Sequence, residues 1–390
     1  MKIAILTENY HKGGLDTFII NLINSWPNRD DFYLISNEEY PGLDYVYDKT
    51  NGNINLIKYK NFQKRISQKG GIFKYLAKIF KYPIFLPCYV LFFSILFRLR
   101  KFDRLIIVNG GYPGSSLCTV SVISWFISAN KAKPIFSFHN LATEPTNFLA
   151  PIENFIDFLV IKYTNYFISV SNISAKSIRA RKFFADCPRV SFIYNGIDDP
   201  VKNLPRDFTI NIEPFSCIML STFEERKGHI HLLNAVKLVI LEFPNFILNI
   251  YGHGTLPEIN RIKNYIINNN LSNNVFINEF STKKDLLIAS STLLVVPSQA
   301  FESFGLTVIE AMALGVPVVT TDVGGLPEVV GDTGAGFICP RESVEDFSEA
   351  IKKILRSPQL RSEMGAKGRV RYSALFTADR MAADYAALIR

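Results

Sequence analysis

The sequence predicts an α/β protein with two domains, and three observations support this prediction. Short runs of apolar and β-branched residues alternate with helical stretches along the chain, which is typical of parallel βαβ units. The alternation stops at a proline-containing segment, 199–213, and then restarts, which indicates a linker. The length of 390 residues exceeds what one hydrophobic core usually supports. We therefore expect domains at 1–200 and 201–373, with a hinge near residue 200 and a central cleft.

The alternation predicts six strands in each half of the chain. Parallel strands joined by crossover helices end at one edge of a sheet, where open α/β sheets bind ligands. The residues that follow the strands are therefore the first candidates for function. The predicted strands are 2–7, 32–36, 105–108, 135–138, 167–170 and 190–193, then 217–221, 247–251, 275–278, 293–297, 318–321 and 336–339.

Composition and cysteine usage indicate an ordinary globular protein of a reducing compartment. Hydrophobic residues make up 48% of the sequence and charged residues 20%. The five cysteines are scattered and contain no CxxC pair, which argues against a disulfide or zinc framework. The N-terminus forms a short apolar strand and lacks the long apolar region of a signal peptide. We expect a cytoplasmic protein.

A basic segment lies between the second and third predicted strands. Residues 58–104 contain twelve Lys/Arg and one acid, so this segment carries +11 and the rest of the chain −3. Within it, residues 72–81 combine lysines on one side of a helix with apolar residues opposite, the pattern of a basic amphipathic helix on anionic lipid. Nucleic acid is not an expected partner, because no binding motif is present. The residues expected to contact a membrane are Lys74, Lys78 and Lys81.

The uncharged stretch 82–97 that follows is too short to span a bilayer. As a helix it would measure ~24 Å, less than the ~30 Å hydrocarbon core, and it contains Pro83 and Pro87. A spanning helix would also separate strands that must share one parallel sheet. We therefore expect peripheral contact with the inner face of the cell membrane. The alternative, a buried core helix under a solvated basic face, stays open.

The most informative segment is 297–328, PSQAFESFGLTVIEAMALGVPVVTTDVGGLPE. It predicts a strand end, a glycine turn, a helix, a second strand and a second glycine turn. A helix N-terminus preceded by glycine is an anion-binding site. Glu302 precedes the helix and Glu310 lies inside it, so the two carboxylates can accept hydrogen bonds from hydroxyls at two ends of an elongated ligand. A diphosphate between a sugar and a ribose fits this layout. The alternative is a buried α/β unit with two solvated glutamates.

Two loops of the first half also follow predicted strands. Gly13 and Gly14 come between the first strand and a helix, as in a phosphate-binding loop, although without the GxGxxG spacing. His139 ends the fourth strand at the edge where ligands bind. A simple βα turn and a structural histidine are the alternatives.

Two loops of the second half have the same placement. Lys227 and Gly228 follow a strand and start a helix, where a lysine can reach a phosphate as a mobile charge. Gly252 and Gly254 flank a histidine after the next strand, in the position for a base or ribose contact. A surface lysine and an ordinary turn are the alternatives.

Together these motifs resemble those of a family 4 (GT4) retaining glycosyltransferase, whose GT-B fold has two Rossmann-like domains. The resemblance extends over nearly the whole chain and is most specific at 297–328. It implies that the N-terminal domain binds the acceptor, that the C-terminal domain binds the nucleotide sugar, and that a helix at 374–390 crosses back to the N-terminal domain. The motifs are Gly13-Gly14, His139, NGID at 195–198, Lys227-Gly228, and the EX7E pair Glu302 and Glu310.

The resemblance implies a role for each matching residue. Lys227, Glu302 and His139 form the expected catalytic group: the lysine stabilises the departing diphosphate, the glutamate holds the donor sugar and the histidine lies beside it. Glu310 holds the ribose. No metal or other cofactor is expected, in keeping with the lack of a DxD motif. The residues expected to bind the donor are Gly13, Gly14, Thr222, Arg226, Gly252, Gly254, Phe304, Gly305, Leu306 and Glu310.

The sequence departs from the family pattern at Thr222. The family usually has an arginine there, five positions before the lysine, as a second cation on the diphosphate. Arg226 is adjacent to Lys227, but neighbouring helical residues point about 100° apart. Arg226 or the helix termini would have to replace the missing charge.

The resemblance implies transfer of a sugar, with retention, from a UDP- or GDP-sugar to an acceptor hydroxyl. The expected acceptor is a glycan or lipid-linked precursor of a cell-surface polysaccharide. Two alternatives stay open: a nucleotide-sugar epimerase of the same fold, and a membrane-surface scaffold protein with a decayed active site.

Overall fold

The computed structural model describes residues 1–130, 132–145, 149–205 and 215–390 and divides into two units. Unit 1 comprises Met1–Gly196 and Ala378–Arg390, and unit 2 comprises Ile197–Thr377. The chain passes from one unit to the other inside the NGID motif rather than at residue 200. Of the linker predicted at 199–213, residues 206–213 lie outside the described residues.

Unit 1 contains a seven-stranded sheet in which all neighbouring strands are parallel. Its strands are β1 Lys2–Thr7, β2 Asp31–Asn37, β3 Ile54–Tyr59, β4 Arg104–Asn109, β5 Ile135–Phe138, β6 Tyr166–Ser169 and β7 Val190–Phe192. Their order in the sheet is β3-β2-β1-β4-β5-β6-β7. The order reverses between β1 and β4. Six of the seven strands were predicted, and the edge strand β3 was not.

Helices connect these strands on both faces of the sheet. They are α1 Gly14–Asn24, α2 Leu43–Lys49, α3 Phe62–Gln68, α4 Gly71–Ile79, α5 Leu86–Arg100, α6 Ser116–Ile127, α7 Ala150–Tyr163 and α8 Asn172–Ser177. A π-helical turn, Lys81–Phe85, leads into α5. Serine side chains cap α6 and α8, which satisfies amide groups that a helix start leaves unpaired.

The C-terminal helix Ala378–Ile389 packs on unit 1, as predicted. Its Met381, Tyr385 and Ile389 side chains are buried in the same apolar cluster as Phe18 of α1. The other face of the sheet carries a second apolar cluster, to which α5 and α6 contribute large aromatic side chains. Both faces of the sheet are therefore covered, as a parallel sheet requires.

The basic segment forms α4 and α5 on one side of unit 1. Lys74 and Lys78 are exposed. Lys81 is not fully exposed as the amphipathic pattern predicts: it is half-buried, and burial lowers its pKa although Glu153 and Glu8 oppose the shift. The sequence predicted a stretch too short to span, but among the described residues the helix Lys81–Arg100 is long and apolar enough to cross a membrane, and 28% of its apolar 18-residue window is buried. Because β3 before it and β4 after it lie in one sheet, it cannot span a bilayer in this fold.

Unit 2 contains a six-stranded parallel sheet with the strand order of a doubly wound fold. The strands are β8 Ser216–Leu220, β9 Ile247–Gly252, β10 Val275–Glu279, β11 Leu293–Val296, β12 Val318–Thr321 and β13 Gly336–Cys339. The helices are α9 His229–Ile240, α10 Leu256–Asn268, α11 Lys284–Ala289, α12 Leu306–Ala313, α13 Leu326–Val330, α14 Val344–Arg356 and α15 Pro358–Leu375. The order β10-β9-β8-β11-β12-β13 reverses between β8 and β11. The predicted fold class, two α/β domains with parallel sheets, is confirmed.

Candidate functional site

Lys227 and Glu302 face each other at the ligand-binding edge of the second sheet. Lys227 ends the 3₁₀ turn Glu225–Lys227 after β8, and Glu302 lies in the loop between β11 and α12. β8 and β11 are the neighbours at which the strand order reverses, the place where open α/β sheets bind ligands. The ammonium and the carboxylate form an ion pair with side-chain exposures of 17% and 15%. Two of the three expected catalytic residues therefore meet in unit 2.

The N-terminus of α12 lies directly after Glu302. Gly305 has φ 106° and precedes Leu306, the first helical residue, and a larger residue there would be strained. The Phe304 side chain is buried against Phe376. The Phe304 side chain is therefore part of the core and is not offered to a ligand. Unpaired amides at a helix N-terminus carry partial positive charge, so this turn can bind an anion.

The second glycine turn, Gly324 and Gly325, packs against the loop that carries Glu302. A Cβ at Gly324 would overlap the carbonyl of Glu302. The Gly325 amide donates a 2.8 Å hydrogen bond to the same carbonyl. These glycines therefore let two loops approach and hold the Glu302 backbone in place.

Close backbone approach also explains three other glycines of unit 2. A Cβ at Gly228 would overlap the carbonyl of Pro297, and one at Gly252 would overlap the carbonyl of Ser221. A Cβ at Gly254 would lie 2.8 Å from the Phe223 side chain. The glycines bring the loops after β8, β9 and β11 together. Whether Gly252 and Gly254 also touch the donor stays a prediction.

Glu310 is buried one turn into α12, where its side chain is 5% exposed. One carboxylate oxygen pairs with Lys284 at the start of α11. The other oxygen, Oε2, is buried and has no hydrogen-bond partner within the described parts of the chain. An unpaired buried carboxylate oxygen is costly. A ligand hydroxyl that donates to Glu310 Oε2 would satisfy it.

Thr222 and Arg226 are both held by Glu224, a residue that the sequence did not single out. The Thr222 hydroxyl donates to Glu224 at 2.6 Å, and Arg226 donates through Nε at 2.6 Å and through Nη2 at 3.2 Å. The Arg226 guanidinium also lies 4.7 Å from the centre of the Phe301 ring. Burial raises the pKa of Glu224, but the bonds from Arg226 and Thr222 outweigh it and keep that pKa below its ordinary value. Arg226 is therefore largely neutralised in this arrangement.

His139 follows β5 in unit 1 and is fixed through the C-terminal helix. Its Nε2 lies 3.0 Å from the Ser137 hydroxyl, which lies 2.7 Å from the Tyr385 hydroxyl. Its ring packs against Phe18 with 4.1 Å between ring centres. Burial lowers the pKa of His139 to about 3, so the imidazole is neutral near pH 7 and can serve only as a neutral donor or acceptor.

The loop of Gly13 and Gly14 is open. Gly13 caps α1, and its amide donates to the Asp16 carboxylate at 3.0 Å. No atom lies within 4 Å of a Cβ placed on Gly13. Both glycines are exposed, although the Gly13 amide is engaged by Asp16.

A polar cavity of about 390 Å³ lies between the loops after β1 and β4, where the strand order of unit 1 reverses. It was not predicted. At its centre, the Glu8 carboxylate accepts hydrogen bonds from Tyr10 at 2.7 Å, from Asn61 at 2.6 Å and from Ser115. Burial raises the pKa of Glu8, and the bonds from Tyr10 and Asn61 only partly oppose the shift. Lys64 also lines the cavity.

A carboxylate offers about four acceptor positions, and three at Glu8 are filled. Among the residues that the structure describes, no fourth donor is recorded, so one position can take a hydroxyl from a ligand. The cavity is therefore suited to a polyhydroxylated molecule. No group of three or more His, Cys, Asp or Glu side chains that could hold a metal occurs within 1–130, 132–145, 149–205 and 215–390.

Residues 201–371 match the family model of glycosyl transferases group 1. The chain is 29% identical over 182 residues to an uncharacterized glycosyltransferase of Methanocaldococcus jannaschii, covering 46% of this chain and 48% of the relative. It is 28% identical over 223 residues to poly(glycerol-phosphate) alpha-glucosyltransferase of Bacillus subtilis, covering 54% and 32%. It is 27% identical over 203 residues to N-acetyl-alpha-D-glucosaminyl L-malate synthase of Bacillus anthracis, covering 50% and 52%. The matched regions thus span from about a third to about half of these relatives.

Solved structures share the fold over the whole chain. A glycosyltransferase from Rickettsia africae aligns with a TM-score of 0.79 at 19% identity, covering 100% of this chain and 97% of that one. HepE of Anabaena, solved in complex with UDP, aligns with a TM-score of 0.76 at 18% identity, covering 99% of both chains. At such identities the likeness shows the GT-B fold alone, and the family model matches less than half of the chain, at residues 201–371.

Proposed function

We propose that this chain, whose residues 201–371 form a glycosyl transferases group 1 domain on a GT-B fold, is a glycosyltransferase. It moves a sugar from a nucleotide diphosphate sugar to an acceptor hydroxyl, with retention of configuration, as a GT4 enzyme of EC 2.4 type. The observation that carries the proposal is the group at the β8/β11 edge: the Lys227–Glu302 pair, the α12 N-terminus and the unsatisfied Glu310 oxygen. None of the relatives reported above is named as an epimerase or a scaffold protein, so these two alternatives are not favoured.

The donor binds along α12. The diphosphate lies at the amides of Gly305 and Leu306 with Lys227 as its cation, which stabilises the charge that develops on departure of the diphosphate. Glu302, released from Lys227 by the incoming phosphates, accepts hydrogen bonds from the sugar. Glu310 Oε2 accepts from the ribose. These groups supply the charge without a metal or other cofactor.

Donor binding is testable by thermal shift with a panel of UDP- and GDP-sugars. A true donor at ~100 times its Kd should stabilise the protein by ~2.7 kcal/mol, because it binds only the folded state. The measured Tm should rise for one sugar nucleotide more than for its free sugar, and transfer should continue in EDTA. No shift with any member of the panel, or activity lost in EDTA and restored by Mg²⁺, would contradict this part of the proposal.

The acceptor, a glycan or a lipid-linked glycan precursor of a cell-surface polysaccharide, binds in the cavity of unit 1. There the fourth acceptor position of Glu8 takes the acceptor hydroxyl. The protein works in the cytoplasm, where its scattered thiols stay reduced. Both statements rest on the chemistry of the side chains and on family resemblance.

Glu8→Gln should raise the acceptor KM about tenfold or more, because a hydrogen bond to a charged acceptor contributes ~1.5–3 kcal/mol. The carboxylate is the form that accepts the bond, and burial raises its pKa. Acceptor affinity in the unchanged protein should therefore rise with pH through that raised pKa. This pH-dependent rise should be missing in Glu8→Gln. Donor hydrolysis without acceptor should not change. Asp44→Asn, at an exposed position of α2, is the control. An equal loss of hydrolysis and transfer would refute an acceptor role.

A further inference from the structure

Two helices of unit 1 expose large apolar side chains at positions to which neither donor nor acceptor binding is assigned. α4 exposes Ile72, Tyr75 and Ile79, and α5 exposes Leu91, Ile95 and Leu99; we call these six side chains the apolar face. The exposed fractions of Leu91 and Leu99 are 63% and 75%. Surface helices normally place polar residues outside, and contiguous exposed apolar patches mark interaction sites.

Only one side of α5 is exposed, because its other side packs in the core of unit 1. Tyr89, Phe93 and Phe97 lie on the opposite side of α5 and are buried in the core of unit 1. The Phe97 ring contacts Trp125 of α6 edge to face at 5.3 Å. α5 is thus fixed along the sheet with one apolar side inward and another outward. The helices α6 and α7 also expose apolar side chains, among them Ile127 and Phe155.

The segment that contains α4 and α5 is rich in lysine and arginine. From residue 58 to 127 the sequence has twelve Lys/Arg and one acid, Asp103, whose carboxylate accepts from the Lys2 amide at 2.7 Å. On α7, Glu153 and Asp157 are both paired with Arg181. These three acids are therefore engaged, while Lys74, Lys78, Arg98 and Arg100 are exposed.

We propose that the apolar face enters the interfacial layer of a bilayer that contains anionic phospholipid. Exposed apolar side chains together with exposed lysines and arginines suit the boundary between acyl chains and anionic headgroups. A protein partner would need acidic groups around an apolar patch, whereas a bilayer supplies both features everywhere. α4 and α5 lie in the membrane plane, because the sheet keeps β3 and β4 together. Lys74 and Lys78 lie at headgroup level.

The test is co-sedimentation of the full chain with phosphatidylcholine vesicles, with and without phosphatidylglycerol, at low and high salt. Leu91→Ser/Ile95→Ser should bind about tenfold or more weakly at both salt concentrations, because apolar burial is lost. Lys74→Gln/Lys78→Gln should bind about tenfold more weakly to anionic vesicles at low salt, with the difference fading at high salt. Matched controls are Leu241→Ser/Leu256→Ser and Lys263→Gln/Lys283→Gln, at exposed positions of unit 2, which should bind like the unchanged protein.

A second readout reports insertion directly. Phe92→Trp, on the same outer side of α5, should shift its fluorescence to the blue on vesicle addition, and Phe280→Trp in unit 2 should not. Unchanged binding of Leu91→Ser/Ile95→Ser would overturn the proposal. So would a concentration-dependent dimer of the unchanged protein that this variant abolishes, because the face would then bind a second copy. No donor or acceptor is present in these assays, so their failure leaves the proposed glycosyl transfer standing.

Discussion

Replacing Lys227 by alanine should lower kcat by ~10²–10³, with donor Kd changed much less. Preorganised donors at developing charge contribute ~2.7–4 kcal/mol to the transition state, and the charge on the departing diphosphate grows during the reaction. Lys227 pairs with Glu302 in the loop that leads into α12, whereas Arg226 is held by Glu224. Steady-state and single-turnover rates with a fixed acceptor would measure the loss. Lys263→Ala, at an exposed position of α10, is the control and should have no effect.

Because Lys227 pairs with Glu302, a loss of kcat in Lys227→Ala would have two possible causes, and a second variant is needed to distinguish them. Lys227→Ala leaves the Glu302 carboxylate without its partner in a largely buried loop, so repulsion between carboxylate and diphosphate could slow the reaction by itself. Glu302→Gln removes that charge. If the lysine acts on the diphosphate, Lys227→Ala should still lower kcat strongly in the Glu302→Gln background. Turnover restored in the double variant would assign the lysine to neutralising Glu302 instead.

The two sheets could be predicted because parallel strands buried on both faces are continuous apolar runs. β3 was missed because it lacks such a continuous apolar run. It is an edge strand with one neighbour, its burial is partial, and its sequence INLIKY mixes polar and apolar residues. The end of unit 1 lies inside the NGID motif, since the chain leaves the core there and not at the prolines that follow.

The sequence predicted several residues of the candidate site but not the side chains that contact them. Glu302, Glu310 and Lys227 follow strands or start helices, and such positions can be recognised from spacing. Their partners cannot: Lys284 meets Glu310 across 26 residues, and Glu224 depends on the path of the loop after β8. The close approach of Gly324 to the Glu302 backbone could not be predicted either, because a glycine needed for a neighbouring backbone has the same local pattern as one needed for a phosphate.

The apolar face shows a further limit of hydropathy patterns. An apolar helix side is identical in sequence whether the fold covers it or not. Ile95 and Phe97 are two positions apart, yet Ile95 is 50% exposed and Phe97 is fully buried. Only the packing of α5 between the sheet and α6 decides which side is left outside.

Glu310→Gln should raise the Kd of the nucleoside diphosphate about 10–100-fold and change kcat little. Glu310 Oε2 is buried without a partner in the described chain, and a hydrogen bond from a ligand hydroxyl to a charged acceptor contributes ~1.5–3 kcal/mol. The amide has nearly the same shape but presents a donor to that hydroxyl, or a weaker acceptor. Isothermal titration with UDP and GDP would measure the loss for whichever nucleotide binds.

A comparison of two nucleotides on the same variant gives a more specific test. In the unchanged protein, a nucleotide lacking the ribose 2′ and 3′ hydroxyls should bind about 10–100-fold more weakly than the parent nucleotide, and in Glu310→Gln the two should bind alike. Lys284→Met separates the effect of charge: it removes the counter-ion of Glu310 but leaves Oε2 in place, so discrimination between the two nucleotides should persist even if the protein is less stable. Undiminished discrimination in Glu310→Gln would mean that the ribose lies elsewhere. Because the Kd ratio compares two ligands on one variant, any general loss of folding cancels, and the ratio reports the contact alone.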